Sequence, residues 1–145
     1  MNKEFNVFEL ITPKSSVYYI LDNSTIRQVF EKISFHKYTV IPMLNELGEY
    51  VGTVSEGDIL RYIFPTKEID REDCEDLEIK DIERYRSYIS VKNDASFDEI
   101  YEASLLQNFI PIVDDRNIFI GIIKRKAIME YMKNLLLVEK IKNEN

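Results

Sequence analysis

Apolar residues follow two rhythms along this chain, and the pair of rhythms comes twice. The first passage opens with Val17 to Leu21, a short run rich in β-branched and aromatic residues, and turns at Asp22-Asn23. Ser24 or Thr25 then stands where a helix cap belongs. Ile26, Val29, Phe30 and Ile33 follow at helical spacing. "VIPML" is too short for a helix, and Pro42 cannot donate a ladder hydrogen bond, so it reads as a strand with one free edge position. "NELGEY" supplies a hairpin turn with Gly48 at its tip, and Ile59, Leu60, Ile63 and Phe64 form the apolar stripe of a closing helix.

The second passage repeats the first. "YTVIPMLNELGEYVGTVSEGDILRYI" from Tyr38 matches "NFIPIVDDRNIFIGIIKRKAIMEYM" from Asn108: Pro42 with Pro111, Gly52 with Gly121 and Ile59 with Ile128, each pair 69 positions apart. Upstream, Thr25 and Ser96 are 71 apart, so the second copy loses about two residues in its first helix or the loop after it. The repeated unit is strand, helix, strand, tight turn, strand, helix. This predicts an α/β (α+β) fold of two β-α-β-β-α repeats, with repeat one at 1–65, an acidic connector at 66–81, and repeat two with a C-terminal helix at 82–145. A copy of about 55 residues buries little core by itself. Two copies packed sheet against sheet about an internal pseudo-twofold are the expected arrangement.

Composition narrows the function. Of 145 residues, 45% are hydrophobic and 31% charged, as in a soluble protein, and no apolar run is long enough to span a membrane. Lys3, Glu4 and Glu9 interrupt the N-terminus, which therefore lacks a signal core, and a cytoplasmic protein is expected. The net charge of -7 argues against broad nucleic-acid binding. The lone Cys74 lies in the acidic segment and reads as incidental; the lone His36 reads as a solvated side chain. The connector reads as a wet surface. No nucleophile with a base, metal cage or Walker-type glycine loop emerges, and no catalytic activity is expected.

Two stretches carry candidate chemistry. In "GTVSEGD", Ser55 and Asp58 precede an apolar run. One reading is a capping box; the other is a ligand pair, with Asp58 as an acceptor and Ser55 beside the open N–H groups of a helix start. The two roles are compatible. The second copy reads "GIIKRKA", with Lys124 in place of the hydroxyl and Ala127 in place of the carboxylate. Lys124, Arg125 and Lys126 then crowd a helix start that the macrodipole makes unfavourable for cations. An anion bound there makes sense of them. A solvated basic patch, or pairing with the connector, is the alternative.

With "ITPKSSV", "LDNST", "VIPMLNELGEYVGTVSEGDIL" and "FIPIVDDRNIFIGIIKRKAIM" in this order, the chain resembles the cystathionine-β-synthase (CBS) domain family from about Phe8 to Tyr131. The resemblance implies a tandem pair, or Bateman module, that binds adenosine-containing ligands in clefts between the repeats and often forms a disc-shaped homodimer. It implies that Asp58 accepts hydrogen bonds from ribose hydroxyls and that Ser55 meets phosphate, while Thr53 takes a place that is usually hydrophobic. Adenine contacts would fall at Ser15 to Val17 and at Tyr38, Thr39, Val40 and Ile41 before Pro42, with Ile41 and Val17 sandwiching the purine. Tyr88, Asn108, Phe109 and Ile110 are their counterparts in repeat two. "YT-x-IP" and "FxGI" with following basic residues are similar to stand-alone CBS pairs of Gram-positive bacteria, some of which bind cyclic di-AMP. AMP, ADP or ATP fit as well. The implied protein is a regulatory module for an adenine nucleotide or dinucleotide, with no required cofactor and an unknown target protein. A ligand-free dimerisation scaffold is the alternative.

Overall fold

The computed structural model describes residues 5–63, 77–84 and 87–144. Phe64, Cys74 and most of the predicted connector lie outside the described residues. In chain order the strands are β1 (Thr12–Pro13), β2 (Ile20–Leu21), β3 (Val40–Leu44), β4 (Tyr50–Ser55), β5 (Val91–Lys92), β6 (Phe109–Val113) and β7 (Phe119–Lys124). The α-helices among the described residues are α1 (Ile26–His36), α2 (Glu56–Ile63), α3 (Phe97–Ser104) and α4 (Arg125–Glu144). The fold is mixed α+β, with two sheets in two compact units. One unit spans Tyr18–Tyr88; the other joins Met1–Val17 to Ile89–Asn145.

The Tyr18–Tyr88 unit holds the sheet β2-β3-β4. Helix α1 starts at a reciprocal cap: Gln28 N donates to Thr25 Oγ1 at 3.1 Å and Thr25 N donates to Gln28 Oε1 at 2.9 Å. It stops at Lys37, which adopts the left-handed conformation with φ 57°. Ile26, Val29 and Ile33 pack with Ile41, Met43, Val54 and Ile59; Ile79, inside the predicted connector 66–81, and Ile82 just beyond it complete this core, so the end of that segment is buried rather than a wet surface, because its apolar residues close over the helices. The buried stripes are narrower than the spacing predicts. Phe30 and Leu60 are each 52% exposed, because each lies to one side of its helix's buried line. The predicted strand Val17 to Leu21 also shortens, since only Ile20 and Leu21 find parallel partners, Met43 and Leu44.

The other unit holds β1-β7-β6-β5 and a second core, in which Val7 joins Ile100, Ile110, Ile112, Ile123 and Ile128. The 69-residue repeat survives at the level of single pairs. Val40 faces Ser55 and Met43 faces Gly52; Phe109 faces Lys124 and Ile112 faces Gly121. The register slips at Met43/Leu44 in one hairpin and at Ile112/Val113 in the other. Both turns use the same device. Asn45 Oδ1 accepts from the amides of Leu47 and Glu49, and Asp114 Oδ1 from those of Arg116 and Ile118. Gly48 and Asn117 hold the left-handed position at φ 83° and 65°. The two copies diverge in the first helix, with eleven residues in α1 and eight in α3.

Candidate functional site

Two strand glycines are fixed by close approach. A Cβ on Gly52 would collide with Ser87 Oγ, and one on Gly121 with the Thr12 carbonyl. Next to Gly52, Thr53 N donates to Ser87 Oγ at 2.9 Å and Tyr88 N donates to Thr53 Oγ1 at 2.9 Å. Thr53 is 1% exposed, so its hydroxyl belongs to the scaffold of this unit. Because the Thr53 amide points away from β3, the opposed Pro42 sits at a pair that needs no N–H from it. Pro42 also lies one residue before β2 begins to flank β3, and this is the free position the sequence called for.

At the end of β4 the chain enters α2 through a reciprocal cap. Asp58 N donates to Ser55 Oγ at 3.1 Å, and Ser55 N donates to Asp58 Oδ2 at 2.9 Å. Asp58 is 1% exposed. Its second oxygen, Oδ1, accepts from Arg61 Nη2 at 2.6 Å, a charge-assisted bond one helical turn long. The cap reading of "GTVSEGD" is therefore realised, and it leaves a buried, ionic acceptor at the start of a helix. Arg61 escaped the sequence reading, although a cation three residues after a helix-start acid is a recognisable partner.

Thr39 and Val40 adjoin this helix start. Glu56 N donates to Thr39 O at 3.0 Å, and Val40 is the strand partner of Ser55. Thr39 is exposed, and Val40 and Tyr38 are half-buried. Ile41 departs from the expectation that it sandwiches a purine. Strand alternation turns it into the core beside Val54, and it is 1% exposed. His36 departs too. Instead of standing in solvent, its ring lies 4.2 Å from that of Tyr18 and stacks at 5.4 Å and 19° on that of Tyr38. Burial and the neighbouring Tyr18 push the Tyr38 phenol above its ordinary pKa.

Ser15, Val17, Lys124, Arg125 and Lys126 belong to the other unit. Ser15 is exposed in a 3-10 turn, Lys14–Ser16, and Val17 ends that turn half-buried. Lys124 and Lys126 are exposed. Arg125 is half-buried, and its guanidinium serves the scaffold: Nε donates to Ser104 O and Nη2 to Gln107 O, both at 2.9 Å. It thereby caps the carbonyl end of α3, where a helix favours a cation. Gln107, another residue not singled out from sequence, is buried and bonds both main-chain groups of Ile89. Among the described residues, no group of three or more His, Cys, Asp or Glu could hold a metal ion, and no helix is long and apolar enough to cross a membrane.

Comparison with protein families matches the CBS domain twice, at residues 7–65 and 79–134. No curated protein matches the chain. Among solved structures, a CBS domain protein from Streptococcus pneumoniae TIGR4 is 25% identical with TM-score 0.78, over 89% of this chain and 87% of the other. CbpB in complex with c-di-AMP is 22% identical with TM-score 0.82, over 97% and 91%. CBSX2 in complex with AMP is 19% identical with TM-score 0.70, over 90% and 98%.

Proposed function

Because the chain belongs to the CBS domain family, we propose that it is a regulatory module that senses an adenine nucleotide or dinucleotide through the Asp58 helix start and signals to a partner protein. The observation that carries this reading is the buried Asp58 carboxylate, which accepts from Ser55 N and from Arg61 beside the first-turn amides of α2. A carboxylate is matched to ribose hydroxyls, and a helix start with a hydroxyl is matched to phosphate. Thr39, exposed, and Val40, half-buried, stand next to Ser55 at the edge of this helix start, where a base could lie. The bound ligands of CbpB and CBSX2, c-di-AMP and AMP, support the adenine class and leave the choice within it open to experiment.

Isothermal titration against AMP, ADP, ATP, S-adenosylmethionine and cyclic di-AMP tests the reading. At least one should bind, and Asp58→Ala should weaken a ribose-dependent ligand by about 1.5–3 kcal/mol, the range for a hydrogen bond to a charged group. Absence of heat and of any thermal shift with all five would overturn it. Such an outcome would favour a ligand-free dimerisation scaffold. Two observations speak for that second reading: Ala127 stands where repeat one has Asp58, and Arg125 is committed to the end of α3.

A further inference from the structure

We infer that the far end of α4, from Leu135 to Ile141, is a self-association site that pairs with the same stretch of a second copy of this chain. The inference stands apart from the ligand reading above. It concerns a part of the chain that the CBS repeats leave over, since the second family match ends at residue 134 while α4 runs on to Glu144.

The two ends of α4 have different surroundings. At the near end Ile128 is buried in the core of its unit, Met132 packs against that core, and the Tyr131 ring meets those of Phe5 and Phe97 at 5.5 and 5.2 Å. From residue 133 to residue 144 every position is exposed. The stretch is apolar all the same: Leu135, Leu136, Leu137, Val138 and Ile141 are between 48% and 69% exposed. Helical spacing sorts them. Leu135, Val138 and Ile141 follow at steps of three, and Leu137 joins Ile141 at a step of four, so these four share one stripe. Val138 and Ile141 take the two inner places of a heptad, with Leu135 and Leu137 flanking them. Lys133, Glu139, Lys140 and Asn143 lie on the other side, with Leu136 among them. A short helical end that packs on nothing is marginal in water, and an apolar stripe is the face by which a partner holds it.

Size and charge choose the partner. Four half-exposed aliphatic side chains at roughly 100 Å² each, with the lysine stems beside them, come to on the order of 500 Å² per copy, and about 1,000 Å² for a pair meets what a specific interface needs. The charges of the stretch are mixed, Lys133, Lys140 and Lys142 against Glu139 and Glu144. Two copies therefore approach without a like-charge penalty, whereas an anionic surface is held by a denser run of cations. A two-fold pair asks for no second kind of surface, because the same residues serve both sides.

Sedimentation equilibrium of the full chain over a dilution series tests the pairing, and reads the association constant whichever other surfaces contribute to it. Val138→Glu and Ile141→Glu place a charge on the stripe; Leu136→Glu places the same charge off it. All three positions are exposed, so the monomer should tolerate the changes, and far-UV circular dichroism checks that it does. The wild-type protein should self-associate. Val138→Glu and Ile141→Glu should each weaken association roughly a hundredfold or more, since a two-fold pair meets every change twice, and Leu136→Glu by less than about threefold. Equal effects at the three positions, or none at any, would overturn the pairing. So would a wild-type protein that stays monomeric up to about 100 µM, where an interface of this size associates. If that monomer sediments with phosphatidylglycerol vesicles and Val138→Glu does not, the stripe belongs to a lipid surface and not to a second copy.

Discussion

The helices after β4 and β7 begin at equivalent places on equivalent hairpins, and different chemistry holds them. In repeat one, Ser55 and Asp58 close a reciprocal cap and Arg61 neutralises the buried acid. In repeat two, Lys124 and Ala127 supply no such cap, and Arg125 reaches back to the carbonyls of Ser104 and Gln107. One helix start is organised around an anion, the other around a cation. Yet the backbone enters both in the same way: Glu56 N donates to Thr39 O and Arg125 N to Asn108 O, each at 3.0 Å. The frame is thus separable from the chemistry mounted on it. Pro, Gly and the turn Asn or Asp repeat because they set backbone geometry, and the first turn of each closing helix is free to differ.

If that separation is right, frame positions should be costly to change in both halves. Gly121→Ala should have the largest effect, a loss of about 3 kcal/mol in urea unfolding, because the new Cβ meets the backbone oxygen of Thr12 and the side chain of Ile11. Gly52→Ala should cost less, about 2 kcal/mol, since its obstacles are the side chains of Ser87 and Arg84, which can give way. Equal tolerance of alanine at both positions would break the argument that the glycines belong to the shared frame.

Positions outside the frame should matter in one half only. Arg125→Ala removes two charge-assisted bonds to carbonyls at the end of α3 and should cost about 1.5 kcal/mol, discounted for partial exposure. Its counterpart Glu56→Ala, exposed at the start of α2, should stay within about 0.5 kcal/mol of the wild-type protein. Matched losses would show that residue 56 carries a structural role equivalent to that of Arg125, and the contrast would collapse.

The frame was the legible part. The pairing of Pro42 with Pro111 and Gly52 with Gly121, read from letters alone, is the pairing seen in the two hairpins, down to the irregularity that follows Met43 and Ile112. The cap at Thr25 and the turn at Gly48 were also readable, because each depends on residues within a few positions of one another. What escaped depends on distance. Nothing near Gly52 in sequence announces Ser87, and nothing near Arg125 announces the carbonyl of Ser104. His36 looked solvated because its ring partners, Tyr18 and Tyr38, come from separate segments. Ile41 looked available because a family pattern assigns a position and not a direction, whereas strand alternation sends it inward. Arg61 is the instructive miss, since its partner is only three residues away.

The smallest effect comes from a pair that the repeat itself supplies. Tyr50 of β4 corresponds to Phe119 of β7, and both are buried. The Tyr50 hydroxyl donates to the carbonyl of Tyr88, a bond that Phe119 has no atom to make. Tyr50→Phe therefore converts one half to the pattern of the other, and should cost about 1 kcal/mol, the net worth of a neutral hydrogen bond. It should also change the response to alkali. Burial pushes the Tyr50 phenol well above its ordinary pKa of 10.0, so the folded state holds that proton more tightly than the unfolded chain does. For a group raised in this way, the stabilisation is fully present below about pH 10 and is lost as pH rises beyond it. The wild-type protein should lose stability more steeply above pH 10 than Tyr50→Phe, and the two unfolding curves should converge as pH climbs. Parallel pH profiles would mean that Tyr50 ionises as freely folded as unfolded, and that the hydroxyl adds nothing distinctive to its half of the molecule.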